Sequence, residues 1–437
     1  MSEATPRAEL ARVIARRPHV VWWASLVIAF GFAVVALPIL TADRWVGALT
    51  GARVVAGHPA PLTVRVPPFQ GMDTLDAGRI GGGGGVVIAR GDVATRDDEF
   101  KLGEIAAVTP SGPITYLAMF LLAGVFAALF SHHTRRSTLG RLVRVQVVNL
   151  ALIAVLAVLA KTAMLVTSAN VLIVPVAVFA LVPTLVLDRV VGIATGTLAA
   201  LIVALCVPFD VGVAILLLVQ VSAAGLVVSE RPKHKLRPIL AAGGFATLMT
   251  ALTYPLMRYL MTGHFPVGEL DDPLRSTWVA ATLGPALATA LAVVLAPPYQ
   301  LLAGEITQAK VIELQDLSQP LLKQIAEKAP GTWQHSLMMA NLAEIAANAI
   351  GANGRLVRVG AYYHDLGKSL APKYFIENLE PGETSPHDKL PPEASCDAIF
   401  KHVTDGIVTA RKAGLHERII DFMHMHHGNG VLEYFWG

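Results

Sequence analysis

Eight of the fourteen histidines in this chain fall after residue 330. His335 stands alone, His364 is followed directly by Asp365, His402 lies further on, and His426 and His427 are adjacent. Neutral imidazole is a common ligand for divalent metals. A carboxylate beside such rings can bridge two cations while each imidazole serves one of them. A His and carboxylate set of this kind suits iron, manganese or similar metals, because no thiolate is placed to select zinc. Two cations about 3.5–4 Å apart can activate a shared water and stabilise a phosphoryl transition state. Any one of these histidines taken alone is more often structural than ligating; it is the set that points to chemistry. The two cysteines, Cys206 in an apolar run and Cys396 in a polar region, read as free thiols.

Apolar spacing predicts helices over 333–350, 356–366, 392–413 and 417–425, so this region is expected to be all-α. His335 opens the first helix after Ala329-Pro330-Gly331-Thr332, His364-Asp365 closes the second, His402 rides on the third and His426-His427 ends the fourth.

Upstream the composition is different. The chain of 437 residues is 54% hydrophobic and 15% charged, with a mean hydropathy of +0.55. An ordinary soluble domain carries about 25% charged residues, and a disordered chain would be poor in apolar ones. The net charge of +3 is too small to imply a nucleic-acid partner. Eight apolar runs approach the about 17–25 residues needed to cross a bilayer: 20–40, 113–130, 145–166, 171–187, 190–207, 211–228, 238–260 and 278–296. In lipid, backbone groups must be satisfied internally, so these are expected as helices. Basic clusters precede the first run (Arg7, Arg12, Arg16, Arg17) and lie between the second and third (Arg135, Arg136, Arg141, Arg144) and the sixth and seventh (Arg231, Lys233, Lys235, Arg237). With eight spans, all of them and the C-terminal region fall on one side, read as cytoplasmic. The first run exceeds the ~7–15-residue core of a signal peptide, so a retained anchor is expected. Lys161 is expected to snorkel from the third span.

Residues 41–112 form a short external segment. Its five glycines at 81–85 read as a flexible linker, 86–94 as a small β element, and Asp97, Asp98 and Glu99 as a solvated face. Residues 297–328 read as an amphipathic linker, with a break near Pro320.

The strings APGTWQHSLMMANLAEIAANAIGAN, VGAYYHDLGK, HDKL, HVTDG and IIDFMHMHHG resemble the HD domain of the seven-transmembrane HD family, within the HD phosphohydrolase superfamily. The match covers about residues 314–437, and one anchor plus seven spans fits the same family. That family hydrolyses the bacterial second messenger cyclic di-AMP. The resemblance implies an all-α protein: cytoplasmic N-terminus 1–19, anchor 20–40, external segment 41–112, seven-span bundle 113–296, linker 297–328 and HD phosphohydrolase domain 329–437, in a bacterial inner membrane. It implies two divalent metal ions, manganese or iron. His335, His364 and Asp365 would hold one, and Asp365 would bridge to a second held by His402, His426 and His427. A metal-activated hydroxide would attack phosphorus in line and expel the ribose 3′-oxygen. Lys368 is placed to meet a phosphate oxygen, with an ordinary exposed lysine as the alternative, and Tyr363 and His387 are substrate-proximal candidates. The Gly-Tyr-Pro signature of cyclic di-GMP enzymes is not found after His427, which favours the adenine dinucleotide.

Two departures from the family pattern shape the expectations. The external segment is far shorter than in the family. A further Asp that such domains use downstream of the His-His pair has no counterpart before Gly437, so a weakened or incomplete first metal site is expected. Two other readings stay open: a non-catalytic membrane receptor whose HD domain binds a cyclic dinucleotide, and a transporter, which should show charged or paired broken spans. A homodimer is compatible with either enzyme or receptor.

Overall fold

The computed structural model describes residues 18–43, 45–46, 54–65, 86–108, 112–134, 139–207, 211–228, 236–262 and 276–428. The chain divides into two compact units, 1–304 and 305–437.

Among its described residues the first unit is mainly helical, with one small ribbon. Its helices are α1 (Pro18–Leu40), α2 (Arg96–Val108), α3 (Pro113–His133), α4 (Leu139–Val166), α5 (Val178–Val186), α6 (Arg189–Cys206), α7 (Val211–Val227), α8 (Leu236–Thr262) and α9 (Thr277–Ala303). Among the described residues six helices are long and apolar enough to cross a membrane, and the apolar segments Val171–Val186 and Val211–Val227 are shorter. The single span expected over 171–187 is instead a 3-10 turn, Val171–Ile173, followed by α5. Pro175 between them cannot continue a helix that started before it.

Polarity in this bundle is reversed relative to a soluble protein. Val27, Phe30, Leu117, Leu121, Leu248 and Leu256 are exposed, while Gln146, Asn149, Gln220 and Thr250 are fully buried. Helix α1 packs on α3, and its Ala29, Ala33 and Ala36 are buried together with Ala123 and Ala127. Small side chains let membrane helices approach closely. Tyr299 donates to Asn149 Oδ1 at 2.9 Å, tying α9 to α4. Arg144 donates to the carbonyls of Leu302 (2.8 Å) and Leu301 (3.0 Å) in the last turn of α9, where helix carbonyls run short of intrahelical donors. Gly304 ends α9 at φ 75°, a left-handed conformation that glycine adopts without strain.

Lys161 does not snorkel. Its ammonium is buried, 3.0 Å from Asp43 Oδ1, and donates to the Cys206 carbonyl at 2.7 Å. Leaving the helix stack would forfeit both partners, and that outweighs hydration at the span's end.

Between α1 and α3, β1 (Val64–Arg65) pairs antiparallel with β2 (Val86–Ile88). Helix α2 follows, opened by a reciprocal cap in which Thr95 Oγ1 donates to Asp98 Oδ2 at 2.6 Å and accepts from Asp98 N at 3.1 Å. The Thr95 hydroxyl, and then its backbone N–H, hold the Asp98 carboxyl below the usual range. The glycines at 81–85 and the basic residues at 7–17, 135–136 and 231–235 lie outside the described residues.

The second unit is all-α: α10 (Gln308–Leu314), α11 (Pro320–Lys328), α12 (Pro330–Ala349), α13 (Gly354–Tyr363), α14 (Pro392–Lys412) and α15 (Glu417–Met425), with short 3-10 turns between α13 and α14. Proline opens α11, α12 and α14, where its missing N–H costs nothing. The stretch expected as an amphipathic linker divides. Up to Ala303 it continues α9, whereas Ile306, Val311, Leu314, Leu322 and Ile325 pack into the core of the second unit with Val359, Leu366, Ile407, Ile419 and Met423.

Candidate metal centre

Each expected ligand sits at a point where the helices of the second unit converge. His335 lies in the second turn of α12, which packs along α13. His364 is the residue that ends α13, and Asp365 leads into the 3-10 turn Leu366–Leu370. That turn packs on α14, which carries His402, and α15 ends at His426 and His427. The close approach of turn to helix requires Gly367: a Cβ there would stand 1.8 Å from the His402 carbonyl oxygen. The absence of a side chain at 367 is therefore what brings Asp365 alongside His402.

Two groups of donors result, each with its ligand atoms within 4.8 Å of one another: His335, His364 and Asp365, and His402, His426 and His427. Asp365 joins them. Its Oδ2 is 3.1 Å from His364 Nε2, and its Oδ1 is 3.4 Å from both His402 Nε2 and His426 Nε2. The carboxylate is buried, yet Oδ1 makes no hydrogen bond among the described residues. His402 Nε2 also faces His426 Nε2 at 3.4 Å and His427 Nε2 at 3.2 Å.

The tautomers follow from the other ring nitrogens. Nδ1 of His364 meets the Ala361 carbonyl at 2.7 Å, that of His426 the Met423 carbonyl at 3.0 Å, and that of His402 the Ile399 carbonyl. A carbonyl only accepts, so each Nδ1 carries the proton and each Nε2 presents a lone pair inward. Lone pairs and a carboxylate oxygen facing one another across about 3.4 Å repel unless a positive charge lies among them. This donor set fits a divalent cation, and backbone carbonyls fixing the far side of metal-binding imidazoles are the usual supporting arrangement.

Burial works to raise Asp365, but the imidazoles of His364, His402 and His426, which can donate to it only when protonated, outweigh burial and hold the carboxyl far below the usual carboxylate range. Burial works to lower His364, and the adjoining Asp365 carboxylate raises it overall. His427 is pulled down to about 4, first by burial and then by the neighbouring His426 and His402.

The cluster opens into a cleft of about 480 Å³, with Met339, Val357, Phe422 and Met425 on its apolar side and Lys368 on its rim. Lys368 Nζ reaches Asp365 Oδ2 at 2.9 Å and Glu377 Oε1 at 3.0 Å. Two expected substrate contacts are elsewhere. Tyr363 is 1% exposed, packed in the core with its hydroxyl donating to the Leu314 carbonyl at 3.3 Å. Helical rotation turns residue 363 inward when 364 faces the cleft. His387 lies against Tyr374, its Nε2 bonded to the Tyr374 carbonyl at 2.9 Å, away from the cleft lining. Glu377 belongs to no motif and was not anticipated.

Comparison with known proteins defines the class first. Residues 332–434 match the HD domain, and residues 111–298 match the family described as a 7TM receptor with intracellular HD hydrolase. The chain carries the transmembrane and HD modules of the seven-transmembrane HD family.

Among individual relatives, the cyclic-di-AMP phosphodiesterase PgpH of Listeria monocytogenes is 46% identical over 156 residues, covering 36% of this chain and 22% of that protein. PgpH of Bacillus subtilis is 44% identical over 142 residues, 32% of this chain and 20% of that one. The uncharacterized protein slr0104 of Synechocystis is 37% identical over 215 residues, 49% and 26% respectively. The matched region thus spans about a fifth to a quarter of the length of these relatives. The crystal structure of the L. monocytogenes PgpH HD domain shares 51% identity, covering 27% of this chain and 57% of that one with a TM-score of 0.27. The same domain was also solved in complex with cyclic-di-AMP.

Proposed function

We propose that this chain is a membrane-embedded, metal-dependent phosphodiesterase that opens cyclic di-AMP to the linear dinucleotide. The observation that carries this reading is the shared carboxylate, Asp365, with one oxygen toward His364 and the other toward His402 and His426. The substrate class comes from the names of the Listeria and Bacillus relatives.

In this reading His335, His364 and Asp365 would hold one divalent cation, and His402, His426 and His427 with Asp365 a second, manganese or iron suiting a set of imidazole and carboxylate donors. When bound, such a pair supplies an activated water and charge neutralisation at the phosphodiester. The residues of the chain do the rest. Asp365 stays ionised, and the Nδ1 bonds to Ala361, Ile399 and Met423 hold three imidazoles in the ligating tautomer. Lys368 meets a phosphate oxygen and offsets the charge that develops there. Met339, Val357, Phe422 and Met425 offer an apolar wall to a nucleobase and keep water from that side of the cleft. In this reading the chain lies in a bacterial inner membrane with its N-terminus and HD domain on the cytoplasmic side, a topology supported by the basic clusters that an eight-span count would put on one side.

The test uses the 437-residue chain purified in detergent. Stripped with chelator and reloaded with Mn²⁺, it is expected to convert cyclic di-AMP to a linear dinucleotide, resolved by chromatography, and to lose the activity again when stripped. Absence of turnover in protein with measured bound Mn²⁺ would overturn the reading.

A further inference from the structure

Glu377 lies in the 3-10 turn Ile376–Asn378, twelve residues beyond Asp365 in sequence and one side chain away from it in space. Its Oε1 accepts from Lys368 Nζ at 3.0 Å and from Thr332 Oγ1 at 3.1 Å. The same Nζ is 2.9 Å from Asp365 Oδ2 and stands 5.0 Å from the centre of the Phe375 ring. One ammonium therefore stands between two carboxylates.

Asp365 Oδ2 is also the oxygen that His364 faces. A divalent cation held by His335, His364 and Asp365 would draw on that oxygen, and an ammonium on the same atom would repel it at short range. Glu377 offers the lysine a second anionic partner. It is also firmly mounted. Thr332 N–H donates to Asn378 Oδ1 at 3.1 Å, and Asn378 Nδ2 donates to Thr332 Oγ1 at 2.9 Å. Thr332 sits one turn before His335 on α12, so this latch fixes Glu377 relative to a ligand of the first group.

We infer that Glu377 is a positioning residue that takes over the Lys368 ammonium, shared with Asp365 in the metal-free protein, when a cation claims the Asp365 carboxylate, so that the lysine stays beside the cleft, where a substrate phosphate would meet it. The inference rests on the metal-dependent reading above and assigns the lysine two sites instead of one.

The test is Mn²⁺ titration of the 437-residue chain by calorimetry, without substrate. E377Q is expected to weaken Mn²⁺ binding about 10- to 100-fold, the range typical of residues that support metal ligands. K368M should bind as the parent does or more tightly, and the double variant K368M/E377Q should return to the K368M value. T332V removes the hydroxyl contacts to Glu377 and Asn378 but keeps the Thr332 N–H bond to Asn378 and the Glu377 charge, and should fall between the parent and E377Q. Parental binding by E377Q would overturn the inference. So would a double variant as weak as E377Q, or a T332V loss equal to that of E377Q, since either makes the glutamate merely structural. Should E377Q fail to fold, weaker Mn²⁺ binding by K368M than by the parent overturns it equally. A parent that binds no Mn²⁺ removes the proposed function and this inference together; binding that ignores Glu377 removes only the latter.

Discussion

In the membrane unit Lys161 is buried against Asp43 at 3.0 Å and the Cys206 carbonyl at 2.7 Å. In the HD unit Asp365 is buried against three imidazoles and an ammonium, and one of its oxygens still makes no hydrogen bond among the described residues. Both are charges removed from solvent, where an unpaired ion is costly. The first is matched by a single opposite charge and a carbonyl, a closed arrangement that holds α4 beside the end of α6. The second gathers three imidazoles and an ammonium around one carboxylate, their nitrogens turned to the same space. A structural charge is satisfied by its neighbours; a working one is left with capacity for something that arrives.

Substitutions can break this contrast. Asp365→Asn is expected to reduce Mn²⁺ affinity and cyclic di-AMP turnover by more than about 100-fold, beyond the loss typical of a mere supporting residue. Thermal stability of the metal-free protein should fall as well, because the neighbours that hold the carboxyl far below its usual range stabilise its charge in the folded state and lose their partner; calorimetry, chromatography and a melting curve read the three quantities. Gly367→Ala should act by geometry instead. With a Cβ driven toward the His402 carbonyl, the turn must back away from α14. We expect a destabilisation of about 2 kcal/mol or more, measured by denaturation of the second unit, together with weaker metal binding.

Acidity gives a third measure. His364 is raised by Asp365, so it holds its proton to higher pH than an ordinary imidazole and must release it to ligate a metal. His427, at about 4, is already neutral near pH 7 and releases none. Metal affinity should therefore fall as pH drops, by about tenfold per unit for each proton that binding displaces. In the protein without metal, the two residues pull stability in opposite directions. The depressed His427 favours the folded state fully only above its unfolded pKa of about 6.5, and that support fades as pH falls toward 4. The raised His364 favours folding below the unfolded value, and its contribution is lost as pH rises through its own folded value. Proton release measured in two buffers of different ionisation enthalpy checks the first point, and melting across pH the second.

On the membrane side the expected effects are smaller. Lys161→Met should lower detergent-solubilised stability by about 1 kcal/mol, since Asp43 is 45% exposed and can be rehydrated once its partner is gone. It should leave metal binding untouched, which is what separates it from Asp365. Tyr299→Phe removes one interhelical hydrogen bond to Asn149 and should cost about 0.6 kcal/mol by the same melt.

Much of the molecule is legible from residue order. Apolar run lengths mark the long apolar helices, though not the break at Pro175 within 171–187, and apolar spacing marks the HD helices to within a few residues, because both report directly on which faces leave water. The ligand candidates are legible because His-Asp and His-His pairs at helix ends are uncommon and chemically specific. Less legible are choices that depend on rotation and contact. Lys161 lies near a span end, where position alone indicates a snorkelling lysine, and only the neighbouring Asp43 and Cys206 carbonyl explain why it stays buried. Tyr363 and His364 are adjacent, yet one enters the core and the other the cleft.

Sequence by itself determined that this chain has a multi-span helical region followed by an all-α region rich in His and Asp, since hydrophobicity and ligand chemistry are properties of residue type. The tertiary structure decided which of those residues meet. Thirteen residues separate Asp365 from Asn378 and thirty-seven separate it from His402, and no local rule carries across such distances. What carries across them is packing: a turn seated on a helix because residue 367 has no side chain, and a latch from Thr332 that sets Glu377 beside Lys368.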